Sequence, residues 1–226
     1  MGVGIRQFAA GRFGGRLAEE MRRLNGRHPW SHNDAFHPWI RSRLPQRREH
    51  ALDVGCGRGD LLAGLAADFD HVTGIDTDLQ MRSVAARRCA GLSNVSVRAD
   101  SFDHIDGPFD VVTMIAVLHH LDVEAALRRV RELVRPGGKF LYVGLAPAVS
   151  PIDHLWDLAS IATNPLIGIV RHPWVCTTPA AQAAFPTRVP ELSVNEIREV
   201  SSRLLPGSVL TRHLGFRHTI EWTATP

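Results

Sequence analysis

No apolar run in this 226-residue chain approaches the ~18 residues a helix needs to cross a bilayer, which excludes a helical membrane span. Cysteine is scarce. Cys56, Cys89 and Cys176 stand far apart, odd in number and without a C-x-x-C pair, so neither a disulfide framework nor a zinc site is expected. Lysine is nearly absent: Lys139 is the only one, and arginine carries the rest of the positive charge. The formal net charge is only +3 and the basic residues are scattered. Their densest cluster (Arg41, Arg43, Arg47, Arg48) falls in a linker around Pro45, so no nucleic-acid partner is expected. Met1-Gly-Val-Gly-Ile-Arg6 lacks an apolar stretch followed by a small-residue cleavage site, so the expected location is cytoplasmic.

What the chain does have is one stretch around which the rest is organised. Ala51-Leu52-Asp53-Val54 is a short apolar run ending in three glycines at alternate positions, Gly55, Gly57 and Gly59. An amphipathic pattern starts at Asp60-Leu61-Leu62. This reads as a buried strand, a tight turn and a helix, an arrangement that offers backbone N–H groups to a ligand. Asp53 stands at the carboxyl end of the strand, where open α/β sheets bind ligands. A carboxylate there repels a dinucleotide pyrophosphate and attracts an ammonium group. The G-x-G-x-G spacing also departs from the G-x-G-x-x-G of pyrophosphate binders, so a nicotinamide-dependent dehydrogenase is disfavoured on both grounds.

The pattern then repeats. His71 to Ile75 is a second apolar run closed by Asp76, which stands where nucleoside-binding α/β folds hold the ribose hydroxyls. Thr77 or Asp78 suits the cap of the following helix. Val95 and Val97 alternate in a third strand leading to Asp100, Ser101 and Phe102. Phe109 to Ile115 is apolar on both faces, as a central parallel strand should be, and runs on into Ala116-Val117-Leu118-His119-His120. Asp122 caps a helix from Val123 to Val134, Arg135-Pro136-Gly137-Gly138 ends it in a turn, and Lys139 to Gly144 is a fifth strand. Later, Ser193 and Glu196 form a capping box for a helix ending near Leu205. Ser208 to Leu214 and Phe216 to Thr223 make a terminal hairpin about Gly215.

The motif Leu52-Asp53-Val54-Gly55-Cys56-Gly57-Arg58-Gly59 and the later Leu133-Val134-Arg135-Pro136-Gly137-Gly138 resemble the class I S-adenosylmethionine (SAM)-dependent methyltransferases. The resemblance covers roughly residues 50–145. It implies an α/β fold built on a Rossmann-like, doubly wound, seven-stranded sheet with a reversed final strand, and SAM as cofactor. By that resemblance Asp53, Gly55, Cys56, Gly57 and Gly59 hold the amino-acid end of SAM, and Asp76 and Thr77 the ribose. Asp100, Ser101 and Phe102 meet the adenine, and backbone groups of Ala116 and Leu118 border the sulfonium.

Two segments fall outside this core. Residues 1–46 are expected to form an N-terminal helical lid on a core of residues 47–226. Leu17, Met21 and Leu24 give its first part a short amphipathic stripe. Trp30, His32 and His37 lie in a Trp/His/Asn-rich segment similar to one that folds over the SAM pocket in several small-molecule methyltransferases. Their spacing is not the i, i+4 of a helical zinc pair, so no metal is expected. Residues 147–192, rich in proline, are expected to be a substrate-cap insertion after the fifth strand. Its one helical stretch, Ile152 to Val170, is interrupted by Pro165, and Trp156, Trp174 and Phe185 are candidate lining residues.

His119 and His120 stand where the acceptor should lie and have the right pKa range to take a proton near neutrality. Asp153 is a candidate to orient one imidazole. The expected function is methyl transfer from SAM to an O or N atom of a small molecule, a secondary metabolite in particular, by a monomer or homodimer. Membrane contact is disfavoured, although residues 1–28 leave a lipid or quinone methyltransferase at a membrane surface as one alternative. A SAM-binding partner or cyclase without methyl transfer is another; its eroded cofactor residues are not seen here. The base-methylating Asn/Asp-Pro-Pro-aromatic tetrapeptide is also absent: the position reads Ala116-Val117-Leu118-His119.

Overall fold

A computed structural model describes residues 31–171 and 189–225. Its centre is a seven-stranded sheet in the order β3-β2-β1-β4-β5-β7-β6. The strands are β1 (His50–Val54), β2 (His71–Ile75), β3 (Val95–Arg98), β4 (Phe109–Ile115), β5 (Val134–Gly144), β6 (Val209–His213) and β7 (Arg217–Thr223). β1 to β5 pair in parallel, while β7 runs antiparallel to both β5 and β6, giving the reversed final strand.

Because side chains alternate along a strand, the central strands feed two cores. Leu52, Val54, Val112, Met114, Phe140 and Tyr142 belong to one, with Ile220 and Trp222 of β7. Ala51, Val111, Leu141 and Val143 belong to the other. Helices α2 (Asp60–Leu65) and α3 (Leu79–Arg88) supply Leu61, Leu62, Leu65 and Ala85 to the second core, together with Ile40 of α1 (His37–Arg41). Helices α4 (Val123–Leu133) and α6 (Val194–Leu204) cover the first, with Leu127, Val130 and Ile197. Burying apolar residues on both faces is what makes β1 and β4 read as unbroken hydrophobic runs.

Local chemistry sets the helix starts. The Asp122 carboxylate accepts from Ala125 N–H at 2.8 Å, and Asp78, not Thr77, caps α3 through Met81 N–H at 2.9 Å. Ser193 and Glu196 form the expected capping box, with Ser193 N–H donating to Glu196 Oε2 at 2.8 Å. In two places the chain departs from expectation. Arg135 to Gly138 is not a turn: β5 begins at Val134, and Gly137 N–H and Gly138 C=O pair with Ala224 beyond the end of β7. Pairing with a distant strand end thus overrides the local turn signal. Helix α5 (Pro151–Arg171) likewise runs through Pro165 without a break. A proline removes one hydrogen bond from a long helix, and the neighbouring turns keep the backbone helical.

The chain divides into two compact units. One holds the sheet with α1 to α4 and α6, and includes the stretch from Asn33 onward. The described part of the other comprises residues 31–32, α5 with the residues leading into it from 148, and Leu214 to Phe216 at the β6–β7 turn. Within this second unit Ser160 Oγ accepts from Gly215 N–H at 3.2 Å, and His32 Nδ1 lies 3.2 Å from the Gly215 carbonyl oxygen. Among the described residues no helix is long and apolar enough to cross a membrane.

Candidate functional site

The carboxyl ends of β1, β2 and β4 bring the glycine turn and two aspartates together. Gly55, Gly57 and Gly59 all have positive φ, at 67°, 53° and 77°. At Gly55 a Cβ would lie 2.2 Å from Val117 Cγ2, and at Gly59 one would lie 3.0 Å from Ala85. Only glycine therefore fits either position, in conformation and in space. Gly55 N–H and Cys56 N–H both donate to the Ile75 carbonyl, which fastens the turn to the end of β2. The Cys56 side chain packs in the second core, and burial pushes its thiol pKa up. Cys56 therefore presents no thiolate, and its backbone holds the turn, its N–H on Ile75 and its carbonyl accepting from Gly59 N–H at 2.9 Å.

Asp76 closes the arrangement. Its Oδ2 accepts from Gly57 N–H at 2.9 Å and its Oδ1 from Asp78 N–H at 2.8 Å. One bond to each oxygen fixes the carboxylate and leaves each oxygen a further lone pair, enough for a vicinal diol. Thr77 beside it is exposed.

Asp53 is only 3% exposed. Its register partner across the β1–β4 ladder is Thr113, so the two side chains emerge side by side, and Thr113 Oγ1 donates to Asp53 Oδ1 at 2.7 Å. Burial pushes the Asp53 pKa up to about 7, the Thr113 hydrogen bond draws it down, and the nearby Asp76 carboxylate raises it. A buried carboxylate short of compensating donors is poised to take a cationic group from a ligand. Thr113 was not among the sequence candidates. Its signal was there to find, as the lone hydroxyl in the apolar run Val111 to Ile115.

Asp100, at the end of β3, forms an ion pair with Arg98. Ser101 is exposed and precedes a short 3-10 turn, Phe102–His104. The Phe102 side chain is in the first core. At the end of β4, Ala116 adopts φ 56°, a left-handed conformation that a residue with a side chain rarely takes, and its N–H donates to Val143 C=O at 2.8 Å. Strain of this kind tends to mark functional loops. The next residues divide in purpose: Val117 abuts Gly55, while Leu118 is buried and starts a 3-10 turn through His120.

His119 and His120 lie with ring centroids 4.2 Å apart and line a cavity of about 550 Å³. Leu145 and Tyr142 from the end of β5, Leu192, and Ile197 of α6 also line it. A volume of this size accommodates a drug-sized ligand. Tyr142 was likewise missed from sequence, since nothing in its local pattern separates it from its apolar strand neighbours.

The remaining candidates lie apart from these groups in chain and in role. His37 packs at the start of α1, where burial lowers its pKa against a weaker opposing effect from Asp34. His32 belongs with Gly215 and Phe216 in the second unit. In that unit too, Asp153 Oδ2 accepts from Ser150 N–H at 2.9 Å and Ser150 Oγ at 2.6 Å, a capping role at the start of α5. Trp156 is 37% exposed on the same helix. Trp30, Trp174, Phe185 and Cys176, with the segment holding Leu17, Met21 and Leu24, lie outside the described residues. Among the described residues no three His, Cys, Asp or Glu side chains gather into a metal site.

Comparison with known proteins bears on this arrangement. A family described as a methyltransferase domain matches residues 52–140. An uncharacterized methyltransferase of Mycobacterium tuberculosis is 31% identical over 200 residues, covering 87% of this chain and 98% of the relative. A ubiquinone/menaquinone biosynthesis C-methyltransferase of Rubrivivax gelatinosus is 26% identical over 147 residues, 63% of this chain and 56% of the relative. Among solved structures, DhpI in complex with S-adenosylhomocysteine (SAH) superposes with a TM-score of 0.59 at 22% identity, covering 94% of this chain and 93% of that one.

Proposed function

Given that the chain belongs to the SAM-dependent methyltransferases, we propose that it transfers the methyl group of SAM to an O or N atom of a small molecule, in particular a secondary metabolite. The observation that carries this reading is the glycine turn held between two aspartates, with Gly57 N–H bonded to Asp76 while Asp53 stays buried beside a single hydroxyl. The residues fit the cofactor. Asp53 would take the amino group of its methionyl end, Asp76 the ribose hydroxyls, and Asp100 with the Ser101 and Phe102 backbone the adenine. Backbone groups of Ala116 and Leu118 would border the sulfur. SAM supplies a methyl carbon made electrophilic by its sulfonium.

What the protein adds is alignment and proton removal. Holding an acceptor in line with that carbon in a closed site can contribute up to ~7–11 kcal/mol. His119 or His120 would take the proton from a hydroxyl or amine as it is methylated, an effect of about 10²–10⁴-fold. Calorimetric titration tests the donor site: SAM and SAH should give heat and NAD none, and heat from NAD alone would overturn the reading. Separate His119→Ala and His120→Ala variants test the base. One of them should lower kcat by about 10²–10⁴-fold with SAH affinity unchanged. Parental kcat in both would remove the histidines from the mechanism.

A second reading, methylation of a quinone or lipid at a membrane surface, is favoured by one observation. Helix α5 exposes Ile152, Leu155 and Val170, at 57%, 65% and 81%. Co-sedimentation with anionic vesicles decides it, and protein left in the supernatant would remove this reading.

A further inference from the structure

The glycine turn is gripped from two sides, and the two grips are built differently. On one side Gly59 faces α3, where a Cβ would meet Ala85 Cα and Cβ at 3.0 Å each. Ala85 is 0% exposed inside the second core, so a packed helix backs this contact. On the other side Gly55 faces Val117, whose Cγ2 lies 2.2 Å from where a Cβ would be, with Cβ and Cγ1 at 3.3 Å. The valine side chain fills the space that the missing one leaves. Val117 is partly buried against the first core, but it stands in the loop after β4, ahead of the short turn Leu118–His120.

Strained backbone supports this second grip. Ala116 N–H stays on the sheet, donating to Val143 C=O at 2.8 Å, while its φ of 56° turns the chain out of the strand direction. That left-handed step delivers Val117 onto Gly55. A side chain crowds its own backbone in this conformation, whereas glycine adopts it freely. Alanine has fewer conformations open to it than glycine, so the strain comes with a more firmly fixed loop. The Val117 carbonyl accepts in turn from His120 N–H at 2.8 Å, closing the turn that carries both histidines. One residue thus touches the glycine turn through its side chain and secures the histidine turn through its backbone.

We propose that Val117 is a positioning residue, a wedge that left-handed Ala116 sets against Gly55, and that it holds the glycine turn in its ligand-binding shape before SAM arrives. The affinity part rests on the reading of that turn as the donor site, while the bracing does not. A turn that keeps its binding shape only part of the time binds more weakly in proportion. Val117→Ala leaves room over Gly55, so its SAH affinity should fall by about threefold to tenfold along with its unfolding midpoint. Val130→Ala deletes the same two methyls from a fully buried place on α4, and should lower the midpoint with SAH affinity unchanged. Val117→Thr keeps the shape and buries a hydroxyl, so it should lose stability yet stay within about twofold of the parental affinity.

Ala116→Gly separates bracing from stability in the opposite sense. Relief of the crowding should leave the midpoint level or raise it, yet the freed loop should weaken SAH binding by about threefold or more. Amide exchange without ligand reads the brace alone. Gly55 N–H and Cys56 N–H, bonded to Ile75 C=O, and Gly59 N–H, bonded to Cys56 C=O, should exchange faster in Val117→Ala than in the parent or in Val130→Ala. Parental SAH affinity in Val117→Ala, an equal loss in Val130→Ala, or unchanged exchange at the turn would overturn the proposal. So would a loss in Val117→Thr as large as in Val117→Ala, or an affinity kept in Ala116→Gly. Failure of the parent itself to bind SAH would overturn the donor-site reading, and the exchange comparison would still decide the brace.

Discussion

Asp53 and Asp110 sit in adjacent strands and are buried to nearly the same depth, 3% and 0% exposed, yet their surroundings are opposite. Asp110 lies at the amino end of β4. Its Oδ2 accepts from Glu49 N–H and His50 N–H, each at 2.8 Å, and Arg135 and Arg47 approach its Oδ1 at 3.2 and 3.6 Å. Asp53, at the carboxyl end of β1, has Thr113 and a second carboxylate nearby. One end of the sheet is electrostatically closed and the other is left open. A buried acid therefore says little about function until its partners are counted. Supplied with donors by its own chain it holds the fold, and left short of them it is a site for something else.

The largest effect is expected at the closed end. Asp110→Ala strips two backbone donors and two guanidinium groups of their acceptor and should lower stability by about 3–5 kcal/mol, read from urea denaturation. Asp53→Asn should do the reverse and raise the midpoint near neutral pH. If both substitutions destabilise alike, the contrast between the two ends fails.

These two residues also show what the sequence could and could not disclose. The glycine turn, Asp53 and Asp76 were legible because their placement depends on local chain geometry: a strand, a turn and the next strand. The capping box at Ser193 and Glu196 was legible for the same reason. Asp110 and Thr113 were not, since their partners lie 61 and 60 residues away and meet them only through strand register. Tyr142 and His218 depend in the same way on β5–β7 pairing. Where local signals misled, at the Arg135 to Gly138 turn and at Pro165, the larger element absorbed the breaker. Asp153, the candidate to orient an imidazole, accepts at its carboxylate from Ser150 N–H just ahead of α5, a contact local enough for sequence to suggest.

The open end should carry a pH signature. An unfolded aspartate ionises near 3.8, while folded Asp53 does so at about 7. Between these values the unfolded chain releases a proton that the folded chain keeps. The stability contributed by the neutral buried carboxyl is therefore full below the lower value and lost as pH rises through the higher one. Asp53→Asn lacks that loss, so its advantage over the parent should be greatest at about pH 8 and close toward pH 4. Ligand affinity should move the other way, because the ammonium of SAH needs the ionised carboxylate. Parental SAH binding should weaken as pH falls through about 7, whereas the asparagine variant should bind about tenfold to a hundredfold more weakly at pH 8 and lose the pH dependence. A parental affinity that stays flat across this range would place the ligand's cation elsewhere.

The smallest expected effect is at Thr113, and it tests the contrast most closely. The hydroxyl donates to Asp53 and draws its pKa down, against a burial effect that is larger. Thr113→Val removes that donor and changes little else in volume, so the Asp53 pKa should rise further. At neutral pH more of the protein then holds a protonated Asp53, and SAH affinity should fall by about threefold to tenfold. Near pH 9 the carboxylate is ionised in both proteins, and the gap should narrow to what the lost hydrogen bond contributes to orienting it. The decisive reading is the midpoint of SAH affinity against pH. Displaced upward in Thr113→Val, it shows that Asp53 is the titrating group and that one hydroxyl separates an open carboxylate from a neutral acid. Left where the parent has it, it would mean that the pH dependence belongs to another residue.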